Sequence, residues 1–231
     1  MKILKYKKEF DYSYALGATL VFELIKHRKD KVIKILLHHD VKEEIVNDLK
    51  KIIKEEYLEY NDKAFNILSD KENCFVIGLF NKYADELENT NHLLLVNPSN
   101  AGNLGTIIRS SVGFGVNNIA IITPGVDMFD PKVIRSSMGS IFSAHIKYFN
   151  NLNEYNYHDR TLYPFMLKAK TYLQTLENKS LKYTLVFGNE ATGLPDDYLN
   201  IGTPLCIRHE KTIDSLNLQT AVSIALYEFT R

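Results

Sequence analysis

Asn103 and Arg109 lie in the first of three loops whose residue types could carry chemistry. This loop, residues 97–110, reads NPSNAGNLGTIIRS and opens a predicted helix, so free backbone N–H groups and the positive end of the helix dipole face its mouth. Arg109 follows Asn103 by six residues, which places both near one face of the helix. The loop matches neither the GxGxxG nor the Walker pattern, which disfavours dinucleotide and nucleoside triphosphate binding. Taken alone, a capped helix with a surface arginine is the simpler interpretation.

The second and third loops also follow apolar runs and carry polar residues. Residues 186–195, VFGNEATGLP, place Glu190 between two glycines beyond a predicted strand. A carboxylate there could hold a hydroxyl, an amine or a partner arginine, and a solvent-facing acid in a turn is the alternative. In residues 206–222, Ser215 is predicted to cap the last helix. Asn217 is not needed for that cap and is a poor helix former, which indicates that Asn217 makes inward contacts.

The loops belong to a chain in which strand and helix patterns alternate, which predicts an α/β fold with a parallel sheet and helices on both faces. In such a sheet, ligands bind at the carboxyl ends of the strands. The polar segment 83–91 lacks periodicity and is predicted to link two domains, residues 1–82 and residues 92–231. The predicted strands are 32–37, 74–80, 92–96, 117–122, 143–148, 162–167, 181–187 and 204–207, and the predicted helices are 15–27, 41–58, 103–114, 131–139 and 215–229.

The composition is that of a globular protein, with 45% hydrophobic and 24% charged residues. No run of about 18 apolar residues is present and the N-terminus lacks a secretory signal, so a cytoplasmic protein without a membrane span is expected. Cys74 and Cys206 sit in apolar runs and are predicted to be buried thiols rather than a disulfide or metal pair. His38, His39 and His209 lack metal-ligand spacing, so no metal site is expected. The absence of GxSxG argues against a serine hydrolase.

The charge of the chain is balanced in total but not along its length. The 28 basic and 28 acidic residues cancel, which at first argues against a nucleic-acid binder. The first 40 residues nevertheless hold nine basic and five acidic side chains, whereas residues 41–90 hold seven and twelve. Lys26, Arg28, Lys29 and Lys31 could therefore form a local basic patch, with an ordinary solvated helix end as the alternative.

Four segments in order resemble a known family. NAGNLGTIIR (100–109), GNEATGL (188–194) and SLNLQTAVSIALYE (215–228) resemble the three motifs of the SpoU/TrmH branch of the SPOUT methyltransferases, and DPKVIRSSMG (130–139) is similar to the helix between them. Residues 1–82 resemble the small ribosomal-protein-like α/β domain that often precedes this catalytic domain. The resemblance implies an S-adenosylmethionine-dependent RNA 2′-O-ribose methyltransferase that forms a homodimer. It also implies a C-terminal trefoil knot, a rare exception to unknotted topology.

The resemblance further implies roles for individual residues. Asn103 and Arg109 correspond to the catalytic pair of the first motif, Glu190 to the acid of the second, and Ser215 and Asn217 to the polar pair of the third. Arg109 would either accept the proton of the ribose hydroxyl or clamp a phosphate. The residues expected to hold the cofactor are Phe187, Gly188, Asn189, Glu190, Ile207, Ser215 and Leu216, and those expected to bind RNA are Lys26, Arg28, Lys29, Lys31 and Arg135.

The third motif departs from the family pattern, and this leaves alternatives open. The motif usually begins with Ile-Pro, whereas this chain has Ile207-Arg208-His209, and Lys211 stands where glycine is common. The cofactor loop is therefore expected to differ in shape or to add positive charge near the RNA. Large-subunit rRNA is favoured over tRNA as the target. The main alternative function is a non-catalytic RNA-binding or ribosome-assembly protein on the same fold, and a generic α/β enzyme acting on a small molecule is less well supported.

Overall fold

A computed structural model describes residues 3–69, 73–210 and 212–231. In it, apolar runs form the strands, and the segments between them form helices. No helix in this described part is both long and apolar enough to cross a membrane. In chain order the elements are β1 (Tyr12–Leu16), α1 (Ala18–Arg28), β2 (Val32–Leu37), α2 (Glu43–Ile52), β3 (Leu58–Tyr60), α3 (Asp62–Leu68), β4 (Val76–Asn81), β5 (His92–Val96), α4 (Ala101–Gly113), β6 (Asn118–Ile122), α5 (Pro131–Ser136), β7 (His145–Phe149), β8 (Thr161–Pro164), β9 (Thr171–Tyr172), β10 (Tyr183–Phe187), β11 (Leu205–Cys206) and α6 (Leu218–Thr230).

The described residues form two compact units. The first consists of the described part of Met1–Tyr83 together with Asp127–Ser143, and the second consists of Ala84–Val126 and Ala144–Arg231. The patterns along the chain predicted one boundary at the polar linker. They gave no sign that a later segment returns to the first unit.

Residues 127–143 pack within the first unit, although the sequence predicts that they belong to the second domain. The Ser13 hydroxyl donates a hydrogen bond to the Phe129 carbonyl at 2.6 Å, and α5 packs against β1. The rings of Phe80 and Phe142 meet edge to face, with their centroids 5.3 Å apart. Because these contacts join residues far apart in the chain, no local pattern could have predicted them.

The sheet of the first unit is mixed, with the strand order β1-β4-β2-β3. Strand β4 pairs antiparallel with β1 and β2, and β2 pairs parallel with β3. Strands β1 and β3 and helix α3 are short and were not predicted, and the helix predicted over 41–58 ends at Ile52. Ile53 adopts extended backbone and buries its side chain, and the chain then leads into β3.

The second unit contains a five-stranded parallel sheet with the order β7-β6-β5-β10-β8. Every residue of β5, β6 and β10 is buried, as is typical of parallel strands covered on both faces. The predicted parallel α/β architecture is confirmed for this part of the chain. Because β10 lies between β5 and β8, the loops that follow these three strands meet at one edge of the sheet.

The two cysteines lie in the apolar interior, as predicted. Cys74 and Cys206 are both buried. Burial raises the pKa of the Cys206 thiol, so this group stays protonated near neutral pH. Cys206 is therefore a small apolar side chain of β11 rather than a reactive thiolate.

A buried hydrogen-bond network lies at the amino ends of β5 and β10. His92 contacts the Tyr155 hydroxyl through Nδ1 and the Glu88 carbonyl through Nε2, each at 2.7 Å. The Tyr155 hydroxyl also pairs with the Thr184 hydroxyl at 2.7 Å. Burial lowers the pKa of His92 to about 4 and raises the pKa of Tyr155 to about 12. The folded core therefore depends on neutral His92.

The lowered pKa of His92 predicts a loss of stability in mild acid. The unfolded chain protonates this imidazole as the pH falls below 6.5, whereas the folded chain does so only near 4, so acid favours unfolding between these values. From about pH 8 to about pH 5, we expect urea titrations to show a fall of about 2 kcal/mol in the free energy of unfolding through this group. His92→Gln should reduce the decline, whereas His158→Gln, at an exposed site, should not. An equal decline in wild type and His92→Gln would contradict the assignment.

Candidate active site

The candidate site forms where β5 and β10 end side by side. Leu95 pairs with Phe187 in the parallel register, so the first and second loops leave the sheet next to each other. The Asn189 side chain donates a hydrogen bond from Nδ2 to the Asn97 carbonyl at 2.7 Å, and its Oδ1 accepts one from the Ala191 N–H at 2.8 Å. Asn189 thereby ties the second loop to the first and also stabilises the turn that follows it.

Glu190 forms several further hydrogen bonds between the same two loops. Its carboxylate accepts from the Ser99 N–H at 3.1 Å, the Ser99 hydroxyl at 2.8 Å and the Asn100 N–H at 3.3 Å. Asn103 donates to it from Nδ2 at 3.3 Å. Burial acts to raise the pKa of Glu190, but these donors outweigh it and hold the pKa below its usual value. Glu190 is thus an ionised brace between the loops.

Helix α4 holds the two first-motif residues in different settings. Asn100 caps the helix by accepting a hydrogen bond from the Asn103 N–H at 3.1 Å. The Asn103 side chain reaches Glu190, whereas Arg109 is exposed and has no hydrogen bond or ion pair with any residue that the structure describes. The fold therefore joins Asn103 to Glu190 and leaves the guanidinium of Arg109 available to an external ligand.

The second loop folds tightly back on itself at two glycines. A Cβ at Gly188 would lie 2.1 Å from the carbonyl carbon of Gly193 and 2.3 Å from the nitrogen of Leu194, far inside contact distance. Gly193 has a φ of +69°, a left-handed conformation that favours glycine, and its N–H donates to the Asn189 carbonyl at 2.9 Å. Gly188 therefore permits the close approach of the two chain segments, and Gly193 permits the turn.

The third loop corrects the sequence prediction for Ser215. Helix α6 begins at Leu218, and Asn217 is its N-cap, accepting a hydrogen bond from the Gln219 N–H at 3.0 Å. The prediction that Ser215 caps this helix without help from Asn217 is wrong, because the helix starts three residues later than its apolar pattern indicated. Ser215 and Leu216 instead line a cleft beside the second loop.

This cleft has a volume of about 310 Å³ and lies in the second unit, at the loops that follow β8, β10 and β11. All seven residues expected to hold the cofactor line it, whereas Asn103, Arg109 and Asn217 do not. The rings of Phe165 and Phe187 stack in its wall, with their centroids 4.5 Å apart. Among the described residues, the lining consists of Phe165–Lys168, Phe187–Leu194, Asp196, Cys206, Ile207, His209, Ser215, Leu216, Leu218 and Ala221.

No sequence motif indicated the part of the cleft that follows β8. Phe165 and Met166 belong to no polar motif, and they reach the cleft through backbone pairing. The Phe165 N–H donates to the Val186 carbonyl at 2.9 Å, and the Met166 N–H donates to the Leu205 carbonyl at 2.8 Å. The apolar run over 162–167 did predict a strand here, but the neighbours of that strand in the sheet depend on the whole fold.

The residues that depart from the third motif are held in a defined arrangement. Gln174 accepts a hydrogen bond from the Arg208 N–H at 3.1 Å and donates one to the Arg208 carbonyl at 3.0 Å. His209 lines the cleft, and its Nδ1 contacts the Ile207 carbonyl at 2.9 Å. Backbone contacts with Gln174 thus fix the loop where the family pattern has a proline. Lys211 lies outside the described residues.

The residues predicted to contact RNA lie in the first unit, and three of them are exposed: Lys26, Lys29 and Arg135. Lys31 is half-buried, and its ammonium lies 2.8 Å from the carboxylate of Asp30. An acid therefore partly offsets the basic charge at the end of α1, which makes the patch a local feature rather than a broad basic surface.

Arg28 differs from its basic neighbours because it is engaged within the first unit. Its Nε donates a hydrogen bond to the Phe142 carbonyl at 3.0 Å, and its guanidinium carbon lies 4.5 Å from the ring centroid of Tyr83. These contacts hold the returning segment and stabilise the unit. We therefore expect Arg28 to contribute less to RNA binding than the neighbouring lysines.

Comparison with known proteins identifies methyltransferases. A family model for the SpoU rRNA Methylase family matches residues 90–227. An uncharacterized tRNA/rRNA methyltransferase from Synechocystis is 33% identical over 144 residues, which cover 60% of this chain and 52% of that protein. A 23S rRNA (uridine(2479)-2′-O)-methyltransferase from Streptomyces viridochromogenes is 41% identical over 51 residues, 22% of this chain and 18% of that protein. The chain thus spans about half the length of the Synechocystis relative.

A solved structure extends the similarity over nearly the whole chain. The AdoMet-bound rRNA methyltransferase from Sinorhizobium meliloti superposes with a TM-score of 0.78 and 25% identity, covering 95% of this chain and 87% of that one. SpoU methyltransferases use S-adenosylmethionine (AdoMet) as their cofactor. Because the family model matches more than half of the residues, the chain belongs to the SpoU rRNA methylase family.

Proposed function

We propose that this protein methylates a ribose 2′-hydroxyl of RNA, and that its target lies in large-subunit rRNA rather than in tRNA. The observation that carries the proposal is the Glu190 brace, which holds the first loop beside the cleft that the expected cofactor residues line. The Streptomyces relative, named for 2′-O-methylation of 23S rRNA, supports the ribose target. The residues that precede the family match favour rRNA, because an N-terminal module is commoner among rRNA-modifying members.

The cleft fits S-adenosylmethionine in size and chemistry. Its volume of about 310 Å³ falls at the lower end of the range of about 300–1,000 Å³ that small-molecule sites occupy. Phe165, Phe187, Ile207 and Leu216 offer apolar walls, and the tight turn at Gly188 brings backbone polar groups to the same place. This combination suits an aromatic base with polar edges. When bound, S-adenosylmethionine supplies a methyl group on a positively charged sulfur.

The chain's own residues divide the remaining tasks. Glu190 is ionised and accepts four hydrogen bonds from the first loop, so it positions that loop rather than receiving the ribose proton. Arg109 offers a guanidinium without a described partner, whose paired N–H groups bind phosphate bidentately. A guanidinium is a poor proton acceptor, so we assign Arg109 to clamping a phosphate beside the target ribose.

The proposal includes a C-terminal trefoil knot and a homodimer in the cytoplasm. Just before β11, the Thr203 N–H donates to the Leu162 carbonyl at 2.8 Å, and a Cβ at Gly202 would lie 2.0 Å from that carbonyl oxygen. The chain then returns to α6, which packs against α4. This close crossing of β8 supports a threaded C-terminus. Ile224 and Tyr227 are exposed on α6, which supports a second copy of the chain as the partner of this helix.

Neutralising the lysines at the end of α1 is expected to weaken RNA binding without changing cofactor binding. Replacing Lys26, Lys29 and Lys31 with glutamine would remove up to three phosphate contacts. Each phosphate contact steepens the fall of log affinity with log salt. The slope should therefore become less steep by about 2–3 in the variant. Fluorescence anisotropy with labelled rRNA fragments at several salt concentrations measures this slope.

A matched control for the lysine variant lies on α2 and the turn after it. Lys50, Lys51 and Lys54 are also exposed but are not among the residues predicted to bind RNA, and each lies within 4 Å of an acidic side chain, as Lys26 and Lys31 do. Their replacement with glutamine should change RNA affinity and salt dependence little. Equal losses in the two triple variants would show that the basic end of α1 acts only through total charge.

Cofactor binding and turnover separate the proposed enzyme from the two alternatives. Titration calorimetry with S-adenosylmethionine should give one site per chain, whereas a non-catalytic RNA-binding protein that had lost the pocket would give no heat. Release of S-adenosylhomocysteine should also require RNA. Turnover with a small molecule and no RNA would instead favour a generic α/β enzyme.

A further inference from the structure

Two imidazoles and two carboxylates cluster in the first unit at the carboxyl end of β2. His38, His39 and Asp40 follow this strand directly, and Asp62 is the first residue of α3. One ligand atom from each of His38, His39 and Asp40 lies within 4.8 Å of the others. The cluster has no part in the site described above, and the sequence predicted no metal there because His38 and His39 lack the spacing of a metal-ligand motif.

Two of the separations between ligand atoms match those of a four-coordinate transition-metal site. Nε2 of His39 lies 3.3 Å from Oδ1 of Asp40, and Nδ1 of His38 lies 3.5 Å from Oδ2 of the same carboxylate. Ligands at about 2.0–2.1 Å from a tetrahedral Zn²⁺ are separated by about 3.3 Å. Nδ1 of His38 accepts a hydrogen bond from the Asp40 N–H at 3.2 Å, which a bound cation would replace.

Asp62 fixes the orientation of the His39 ring, as carboxylates next to metal-binding histidines do. Its Oδ1 accepts the His39 backbone N–H at 2.9 Å, and its Oδ2 lies 2.9 Å from Nδ1 of the His39 ring. With Nδ1 held by Asp62, the other ring nitrogen of His39, Nε2, lies on the side of the Asp40 carboxylate, 3.3 Å from its Oδ1. Carboxylates that contact the far nitrogen of an imidazole in this way are usual behind metal-binding histidines.

The surrounding residues fix the other imidazole. The His38 ring meets Phe65 edge to face, with the ring centroids 5.2 Å apart, and lies 5.7 Å from the Phe75 ring. The backbone around it is also held, since the His38 N–H donates to the Phe75 carbonyl and the Val41 N–H donates to the His38 carbonyl, each at 3.0 Å. The ligand set is therefore partly preorganised before any cation binds.

We propose that His38, His39 and Asp40 bind one divalent transition-metal cation, with Zn²⁺ as the expected ion, and that Asp62 positions His39 for it. Two imidazoles and a carboxylate form a donor set that suits zinc and its neighbours rather than magnesium or calcium. Solvent fills the remaining coordination position, since His39, Asp40 and Asp62 are all exposed. The bound ion links the end of β2 to the start of α3 through the His39–Asp62 pair.

Titration calorimetry with zinc chloride on the tag-free, metal-stripped full chain tests this proposal. We expect one Zn²⁺ per chain, and Co²⁺ in its place should show the visible absorption of a four-coordinate site. His39→Ala should abolish both signals. Asp62→Asn should weaken Zn²⁺ affinity about 10–100-fold, because it removes the carboxylate that orients His39. His158→Ala, an exposed histidine beside Asp159, is the matched control and should bind as wild type does.

Two results would overturn the proposal. One is the absence of binding at one Zn²⁺ per chain in the wild type, which would leave the cluster as a set of surface hydrogen bonds and ion pairs. The other is unchanged Zn²⁺ and Co²⁺ signals in His39→Ala, which would place the ion elsewhere in the chain. Thermal unfolding of the metal-free variants shows whether each is folded, and Asp62→Asn provides an independent test if His39→Ala is not.

Discussion

Replacing Arg109 with alanine should lower the rate of RNA methylation by at least about 100-fold, because orientation of the reacting groups is lost. The affinity for S-adenosylmethionine should stay within about twofold of wild type, because the guanidinium of Arg109 does not line the cleft. Arg109 is exposed on α4 and has no partner among the residues that the structure describes, so its removal breaks no described hydrogen bond or ion pair of the folded chain. Single-turnover transfer from labelled cofactor to RNA measures the rate, and calorimetry measures the affinity.

Two further variants serve as comparisons for Arg109→Ala. Arg109→Lys keeps the charge but not the bidentate geometry, so it should recover only part of the rate. Arg231→Ala removes an exposed arginine that pairs with Glu228 at the end of α6, and it should leave the rate near that of wild type. Full activity in Arg109→Ala would contradict the phosphate-clamp role. A wild-type rate in Arg109→Lys would show that the positive charge alone suffices.

Replacing Gly188 with alanine should abolish measurable binding of S-adenosylmethionine. The new Cβ would lie 2.1 Å from the carbonyl carbon of Gly193 and 2.4 Å from its oxygen, and neither backbone atom can move without opening the turn. Opening the turn displaces Asn189 and Glu190, which tie the second loop to the first. Calorimetry with the cofactor tests this expectation, together with circular dichroism to establish that the variant is folded.

Gly113→Ala is the control for the glycine variant. Gly113 is the last residue of α4, and a Cβ there would meet no atom within 4 Å, so cofactor binding should be unchanged. Wild-type affinity in Gly188→Ala would contradict the role given to the tight turn. Loss of binding in both variants would instead indicate a general sensitivity of the second unit to substitution.

The longer strands were the most predictable elements of the fold. The pattern predicted the bounds of β2 in the first unit and of β5 in the second as the structure has them, because apolar runs that end in polar residues are typical of strands. Strand β9 has two residues and was missed, since a backbone pairing that short leaves no periodicity. The return of segment 127–143 to the first unit was missed for a different reason, because it depends on packing between distant residues.

The candidate site was predictable in its motifs but not in its connections. The sequence placed the expected cofactor residues in two loops, and the fold brings them all to one cleft because β10 lies beside β8 and the residues after β8 pair with β11. It could not show that Glu190 is committed to Ser99, Asn100 and Asn103, since hydrogen bonds between loops depend on strand order. The capping role of Asn217 was missed because a cap is defined by where the helix starts, and apolar periodicity locates that only approximately.

The position of the transferred methyl group tests the central claim most directly. RNA from cells that lack this protein is incubated with the protein and methyl-labelled S-adenosylmethionine, then digested to nucleosides and separated by mass. We predict that the label appears in a 2′-O-methylated nucleoside from large-subunit rRNA, and that Arg109→Ala yields almost none. Label on a base, or no label in any rRNA or tRNA, would contradict the assignment of this chain as an RNA 2′-O-ribose methyltransferase.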